Sequence, residues 1–360
     1  MAASHRRLDL SNKESAPALV SLLQREKGQR DGGTPMKAAV YTRYGPPEVV
    51  HITDVEKPAP KDNEVLIKVR AASLNPLDWH FMRGTPYAVR IIAGLRKPGF
   101  PGLGVDVAGQ IEALGAKVSQ FKLGDEVFGS CKGAFAEYVC ASESDLVIKP
   151  ANVTFEQAAS VPVATYTALQ GLRDKGQIQA GQKVLVNGAA GGVGTFAVQI
   201  AKSFGADVTG VCSTRNLDMV RSIGADRVID YTQEDFTKSA ERYDLFFDGV
   251  GNHSLSASRR VLNPKGIYVG AGGTTDNWTI GPLVRAISSL VLSLVGNQKL
   301  LMVLAKPSKQ DLTFMREHLE SGKITPVIDR RYKLNEVPDA IRYLELGHAR
   351  GKVIIAFENN

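Results

Sequence analysis

Residues 183–202 read KVLVNGAAGGVGTFAVQIAK, and the fold turns on how this stretch is taken. An apolar run with strand character, KVLVN, enters a glycine cluster and leaves as a helical pattern, VGTFAVQIAK. Gly188, Gly191 and Gly194 give G-x-x-G-x-x-G in place of the commoner G-x-G-x-x-G. The physical role is the same: backbone without side chains can approach a pyrophosphate, and the helix start offers unpaired N–H groups and a positive dipole end. A glycine triplet alone is weak evidence, but its strand-turn-helix setting makes it a dinucleotide-binding loop.

Downstream the chain alternates regularly. Strands DVTGVC, RVIDY, YDLFFDGVG and GIYVGAGG are separated by short turns and helical segments. Repeated βα units of this kind predict a parallel, doubly wound sheet with helices on both faces, an α/β fold. The end of the second strand then speaks to the choice of dinucleotide. An NAD site places Asp or Glu there to bind the ribose hydroxyls, whereas this chain has VCSTRN; Asp207 starts the strand and Asp218 lies well into the next helix. Ser213, Thr214 and Arg215 supply donors and a guanidinium suited to a phosphate, which favours NADPH.

Upstream, residues 36–150 carry short β-type runs between Pro and Gly turns, among them VLIKVRAAS, VAGQIEALG and EVFGS, followed by a helix in PVATYTALQGL. This predicts a compact, mostly-β, barrel-like domain. After residue 297 the pattern is mixed again: a helix over DLTFMREHLESG, a strand near VIDRRYKL, a helix over VPDAIRYLELG and a closing strand KVIIAF. A last strand that completes the first sheet would make the nucleotide-type domain an insertion. The expected division is 36–160 completed by 297–360, with 161–296 between.

The chain has 360 residues, 43% hydrophobic and 22% charged, with a net charge of +7. That charge permits an anionic ligand, yet there is no run of five Lys or Arg and no basic helix interleaved with aromatics, so nucleic acid is not the expected partner. Cys131, Cys140 and Cys212 lack metal or disulfide spacing and fit a reducing compartment, taken as the cytoplasm. Residues 1–35 are polar, mix acids with bases and lack an apolar h-region; they read as a disordered extension or a start called too far upstream. In 281–305, Arg285 and GNQK split the apolar residues into pieces too short to span a bilayer, leaving a buried helix or the contact of a homodimer.

Taken together, NPLDW, GVDVAGQIEALG, VPVATYTALQGL, NGAAGGVGTFAVQIAK, VIDY and DGVG resemble the medium-chain dehydrogenase/reductase superfamily, in its zinc-independent quinone oxidoreductase branch. The ending GHARGKVII is similar to that of the reticulon-interacting mitochondrial oxidoreductases and their bacterial relatives. The resemblance implies a GroES-like catalytic domain, a Rossmann domain and a cleft between them. Carried over residue by residue, it implies Asn75 and Thr165 near nicotinamide and phosphates, and Gly192 and Val193 on the pyrophosphate. Ser213, Arg215 and Tyr231 would surround the adenosine 2′-phosphate, and His348 and Arg350 would close over the cofactor. Relatives carry Asn-Val-Gly where this chain has Gly249-Val250-Gly251, which removes a side-chain contact and leaves Val250 with backbone contact.

The same comparison bears on the stretch SLNPLDWH, residues 73–80. Asn75 stands where zinc alcohol dehydrogenases carry a Cys, and Gly104-Val105-Asp106 where they carry Gly-His-Glu. Asp78 and His80 are left without a third ligand, so no metal is expected. Without a Lewis acid the easier reaction is hydride transfer from NADPH to a quinone or to the β-carbon of an enone or enal, with positioning carrying much of the work. Asn75 and Tyr87, with Tyr41, are candidates to stabilise the oxyanion. Asp78 suits a helix cap behind the Asn-Pro turn, and His80 reads as a packed or solvated histidine. An NADPH-binding scaffold with little turnover, and a zinc-dependent alcohol dehydrogenase, are the alternatives.

Overall fold

The computed structural model describes residues 34–272 and 297–357, together with Ser288, Ser289 and Leu292. The expectations for residues 1–33 and for most of 281–305 fall outside the described residues. The chain enters through β1 (Pro35–Val40), paired with β2 (His51–Glu56) in a two-stranded sheet. The long β3 (Glu64–Leu74) then runs into α1 (Pro76–Arg83) and α2 (Val89–Ala93). Four strands follow: β4 (Asp106–Leu114), β5 (Glu126–Ser130), β6 (Tyr138–Ser142) and β7 (Leu146–Ile148). Helices α3 (Phe155–Ala159) and α4 (Pro162–Leu169) lead out of this half.

The second half is a run of parallel strands. It holds β8 (Lys183–Asn187), α5 (Gly194–Ser203), β9 (Asp207–Cys212), α6 (Leu217–Ser222), β10 (Arg227–Asp230), β11 (Tyr243–Asp248), α7 (Leu255–Arg260), β12 (Leu262–Gly270) and β13 (Lys299–Met302). Their order is β10-β9-β8-β11-β12-β13, every pair parallel. The order reverses between β8 and β11. In an open α/β sheet that point forms a crevice beyond the carboxyl ends of the strands, where ligands bind, and the glycine loop leaves β8 there.

The chain then returns through α8 (Lys309–Glu320), β14 (Ile328–Lys333), α9 (Val337–Glu345) and β15 (Lys352–Ala356). The first-half sheet has the order β14-β15-β3-β4-β5-β7, with β6 also on β3. One boundary differs from expectation. β13 lies beside β12 in the parallel sheet, with Leu300 opposite Tyr268, so the return to the first sheet begins with β14 and not at residue 297. The apolar KLLM needs a buried parallel neighbour, and β12 supplies one.

Pairing register positions the site. Ser73 on β3 lies opposite Asp106 on β4, and Leu74 lies opposite Val353 on β15. That register carries Lys352 to the level of Asn75, at the end of β3. Arg83, at the far end of α1, donates to Glu345 of α9 at 2.8 Å, which fixes the helix that Asn75 starts. Helix α5 is buried over all but its last turn, Phe196, Val198 and Ile200 completely. Truncating a buried Phe of this kind costs about 3–5 kcal/mol. Its one amide, Gln199, is satisfied by Thr325, donating to the carbonyl at 3.0 Å and accepting from the N–H at 2.8 Å, and so ties α5 to the segment before β14. Among the described residues no helix is long and apolar enough to cross a membrane.

Candidate functional site

The loop after β8 turns as its glycines require. Gly188 has φ of +80°, and a Cβ there would lie 2.7 Å from Val250. A Cβ on Gly194 would lie 2.0 Å from the carbonyl oxygen of Gly188, so the helix start packs directly on the loop. Gly191 donates to that same carbonyl at 2.9 Å. Helix α5 has Val193 at its N-cap with no side-chain cap, while the Thr195 N–H donates back to the Gly191 carbonyl at 3.0 Å; the positive end of the helix faces the loop. Behind the loop, buried Asp248 accepts from Asn187 and from the N–H groups of Val250 and Gly251, which folds Asp-Gly-Val-Gly against it. Gly188, Gly191, Gly192, Val193, Gly194 and Val250 are thus neighbours in one cradle, whose width a side chain at Gly188 or Gly194 would close.

The expected adenosine end lies beyond β9. Ser213 and Arg215 sit on the turn into α6, and Tyr231 follows β10 and is half exposed. Arg215 Nη2 donates to the carbonyl of His348 at 2.9 Å, and Arg350 Nε to Asn216 Oδ1 at 2.7 Å. The GHARGK segment therefore does meet the VCSTRN turn. Its contact is with the protein turn itself, which Arg350 grips through Asn216 and the Arg215 carbonyl.

At the other end a buried polar cluster surrounds Asn75. Its Oδ1 accepts from Lys352 Nζ at 2.6 Å, and its Nδ2 donates to Asp106 Oδ2 at 2.9 Å. Asp106 also accepts from Ser73 Oγ at 3.1 Å and from the N–H of Val163 at 3.0 Å, and lies 3.6 Å from Lys352 Nζ. Asn75, Asp106 and Lys352 are each at most 3% exposed. Burial works against both charges, pushing the Asp106 carboxyl up and the Lys352 amine down. Four donors nevertheless face Asp106, three at Oδ2 and one at Oδ1, and donors of this kind favour the charged carboxylate, so an ion pair is the state we assign. Asp78 accepts the N–H of Asn75 at 2.7 Å, the helix-start role expected of it. Burial pushes its carboxyl up to about 7, helped by Asp106 and opposed by the N–H of Asn75 and by Lys352.

The other expected residues lie as follows. Asn75 has its amide committed on both sides, so it has no free donor for a substrate oxyanion. Tyr87 lies past the far end of α1, a helix about 12 Å long by its rise, and is 57% exposed; Arg90 stacks on its ring at 4.9 Å. Among the described residues Tyr87 makes no hydrogen bond to Asn75, whose partners are Ser73, Asp78, Asp106 and Lys352. Thr165 is completely buried within α4, its hydroxyl donating to the Pro162 carbonyl at 3.1 Å. His80 packs on Trp79 and bonds the Thr85 carbonyl at 2.8 Å, with burial lowering its pKa. Tyr41 is buried and pushed up to about 12 by that burial.

Lys352 is the residue the sequence reading missed. Its stem passes over the glycine loop, 3.1 Å from where a Gly192 Cβ would be, while its ammonium reaches Asn75. Asn75 and Asp106 take two of its N–H groups, leaving one without a partner among the described residues. The available signal was a lysine opening an otherwise apolar buried strand, which requires a buried partner.

This donor set does not fit zinc. An ammonium already occupies the amide oxygen of Asn75, and a second cation there would be repelled. The Cys131 thiol is pushed above its ordinary range by burial and by Asp106 and Asp78, which disfavours the thiolate a zinc ion needs. Among the described residues no three His, Cys, Asp or Glu side chains are grouped to hold a metal.

Comparison with known proteins agrees with this architecture. Residues 61–151 match the alcohol dehydrogenase GroES-like domain, and residues 223–355 match the zinc-binding dehydrogenase family. The chain is 36% identical over 335 residues to the chloroplastic NADPH-dependent alkenal/one oxidoreductase of Arabidopsis thaliana, covering 89% of this chain and 79% of that protein. It is 34% identical over 365 residues to the mitochondrial NAD(P)H oxidoreductase RTN4IP1 of Mus musculus, covering 89% of each. Among solved structures, the quinone oxidoreductase from Coxiella burnetii superposes with a TM-score of 0.79 at 30% identity, covering 90% of this chain and all of that one.

Proposed function

The chain belongs to the medium-chain dehydrogenase/reductase superfamily of oxidoreductases, and from that premise we propose that it is a zinc-independent NADPH-dependent reductase of quinones or α,β-unsaturated carbonyls. The observation that carries the reading is Lys352, a buried cation held by Asn75 and Asp106 beside the glycine loop. The Gly188–Gly194 cradle and the uncapped start of α5 fit a pyrophosphate, and Ser213 with Arg215 fits a 2′-phosphate. When bound, NADPH supplies the hydride. Lys352, with its remaining N–H, is the group we assign to negative charge at this end of the cleft, whether on a cofactor phosphate or on the reduced acceptor. Buried donors aimed at developing charge are worth far more than exposed ones, because the surroundings need not reorganise. Asn75 then acts by position: it accepts from Lys352 and donates to Asp106, fixing the distance between the two charges. An acceptor already polarised by its carbonyl group needs no metal to hold an alkoxide.

In this reading the segment between β8 and β13 holds the cofactor, and the sheet containing β3, β4 and β15 presents the acceptor side. The described cysteines are free thiols, as in a reducing compartment. The chloroplast and mitochondrial relatives make the cytoplasm one of several compartments that fit.

The test is NADPH oxidation with a panel of quinones, enals and enones, run throughout with chelator. Acceptor-dependent oxidation that chelator leaves unchanged is the expected result. Tight NADPH binding without oxidation by any acceptor would replace this reading with a nucleotide-binding scaffold, and loss of rate with chelator would replace it with a metal-dependent dehydrogenase.

A further inference from the structure

The turn that meets the adenosine end is braced from the other sheet. Arg350 lies just before β15, where its backbone N–H donates to Asp329 Oδ2 at 2.9 Å. One edge of its guanidinium is spent on the protein: Nε donates to Asn216 Oδ1 at 2.7 Å and Nη2 to the Arg215 carbonyl at 3.3 Å. Asn216 is buried and passes the contact on, its Nδ2 donating to Ser213 Oγ at 3.1 Å and its N–H to the Ser213 carbonyl at 2.8 Å. In return, Arg215 Nη2 grips the carbonyl of His348.

This chain of contacts determines what each side chain has left to offer. Ser213 Oγ accepts a hydrogen bond from Asn216 and donates to no group among the described residues, which leaves its hydroxyl hydrogen for an acceptor outside the turn. Arg215 spends one N–H on His348 and keeps others. The neighbourhood also holds an opposing charge: Asp230 accepts from the Thr214 and Thr232 hydroxyls on the same side of the sheet. A phosphate beside that carboxylate needs Ser213 and Arg215 held in a fixed orientation, and the planar fork of an arginine supplies fixed geometry where a lysine does not.

We propose that Arg350 is a positioning residue for 2′-phosphate recognition, setting Ser213 and Arg215 through Asn216 without binding the phosphate itself. The proposal rests on the reading of this turn as the 2′-phosphate site. Coenzyme choice is then a joint property of the two sheets, with part of it residing in the closing segment.

The test uses 2′,5′-ADP and 5′-AMP as probes, titrated calorimetrically against the full-length protein without acceptor, so its outcome is independent of turnover. Asn216→Ala removes no charge, yet it is expected to weaken 2′,5′-ADP binding about ten-fold, as loss of a hydrogen bond bearing on a charged ligand does. Arg350→Ala should give the same loss, Arg350→Lys should not restore it, and the double variant should be no worse than either single one. Affinity for 5′-AMP, which a damaged fold would lose, should stay within about two-fold in each, since no phosphate-directed bond is touched. Rescue by Arg350→Lys, or an unchanged Asn216→Ala, would overturn positioning and make Arg350 a direct charge contact. A wild-type protein that binds both probes equally would overturn the 2′-phosphate site itself, and Arg350's role with it.

Discussion

At one end of the glycine loop Ser73, Asn75, Asp78, Asp106 and Lys352 are all buried; at the other, Arg215, Tyr231, His348 and Arg350 lie at the surface. Both ends combine cations with hydrogen bonds, yet the physics differs. In the buried cluster every charge has lost its water, so removing one partner strands another. At the exposed turn water and salt share the work, so each contact is worth little to stability and can be spent on selectivity. The difference teaches that, on the proposed reading, the same residue types serve fold and chemistry at one end and ligand choice at the other.

Lys352→Met should produce the largest effect. It leaves Asp106 ionised, buried and short of its cation, and breaking a buried pair from one side costs about 3–5 kcal/mol. Denaturant unfolding should show that loss, and kcat/KM for NADPH with an active acceptor should fall by about two orders of magnitude, as when a preorganised buried donor is removed. Binding of 2′,5′-ADP should hardly change. Near wild-type stability in this variant would break the comparison, because the cluster would then be no more coupled than the surface turn.

Asp78 gives the buried end a dependence on pH. Its folded pKa of about 7 lies above the ordinary 3.8. Between those values the folded chain holds a proton that the unfolded chain has released. Stability from this group is therefore present at low pH, falls as pH rises toward 7 by up to about 1.4 kcal/mol per pH unit, and levels off above. Asp78→Asn keeps an acceptor for the Asn75 N–H and should flatten the profile of unfolding free energy between pH 5 and 7. An unchanged slope would move the titration to Asp106.

How much of this was legible follows from where each interaction lies in the chain. The parallel sheet and its glycine loop are local patterns: the apolar strand, the glycines and the helix occupy 20 consecutive residues, 183–202. The VCSTRN turn was legible because an expected acid was missing at one known spot. Lys352 was not, since it meets Asn75 across 277 residues. Only the register of β15 on β3 makes that pair, and register is set by two strands at once. Asn75 was found, but its role was misjudged because an amide's partners cannot be read from its own neighbours. Residues 299–302 were placed with the first domain, and no strand was read there, because KLLM is a short apolar run that either sheet could bury. Tyr87 was proposed from residue type alone, and no hydrogen bond joins it to Asn75 among the described residues.

At the exposed end the effects should be smaller and sensitive to salt. Arg215→Ala should raise the KM for NADPH about ten-fold at low ionic strength, leave NADH nearly unchanged, and lose much of that difference at high salt. A salt-independent loss would mean that the turn is desolvated when the cofactor binds, bringing the two ends closer in kind. The smallest effect belongs to Tyr87→Phe. With its ring 57% exposed and stacked by Arg90 at 4.9 Å, the face of the ring is in use and the hydroxyl has no partner among the described residues. Removing an exposed hydroxyl changes stability by no more than about 0.5 kcal/mol, and kcat should stay within about two-fold, because a hydroxyl without a partner positions no other group for the reaction. A fall in kcat of ten-fold or more, with NADPH binding unchanged, would show that the 85–100 segment moves onto the acceptor during turnover. Tyr87 would then be a donor that closure delivers, and the contrast between the two ends would hold only for the open protein.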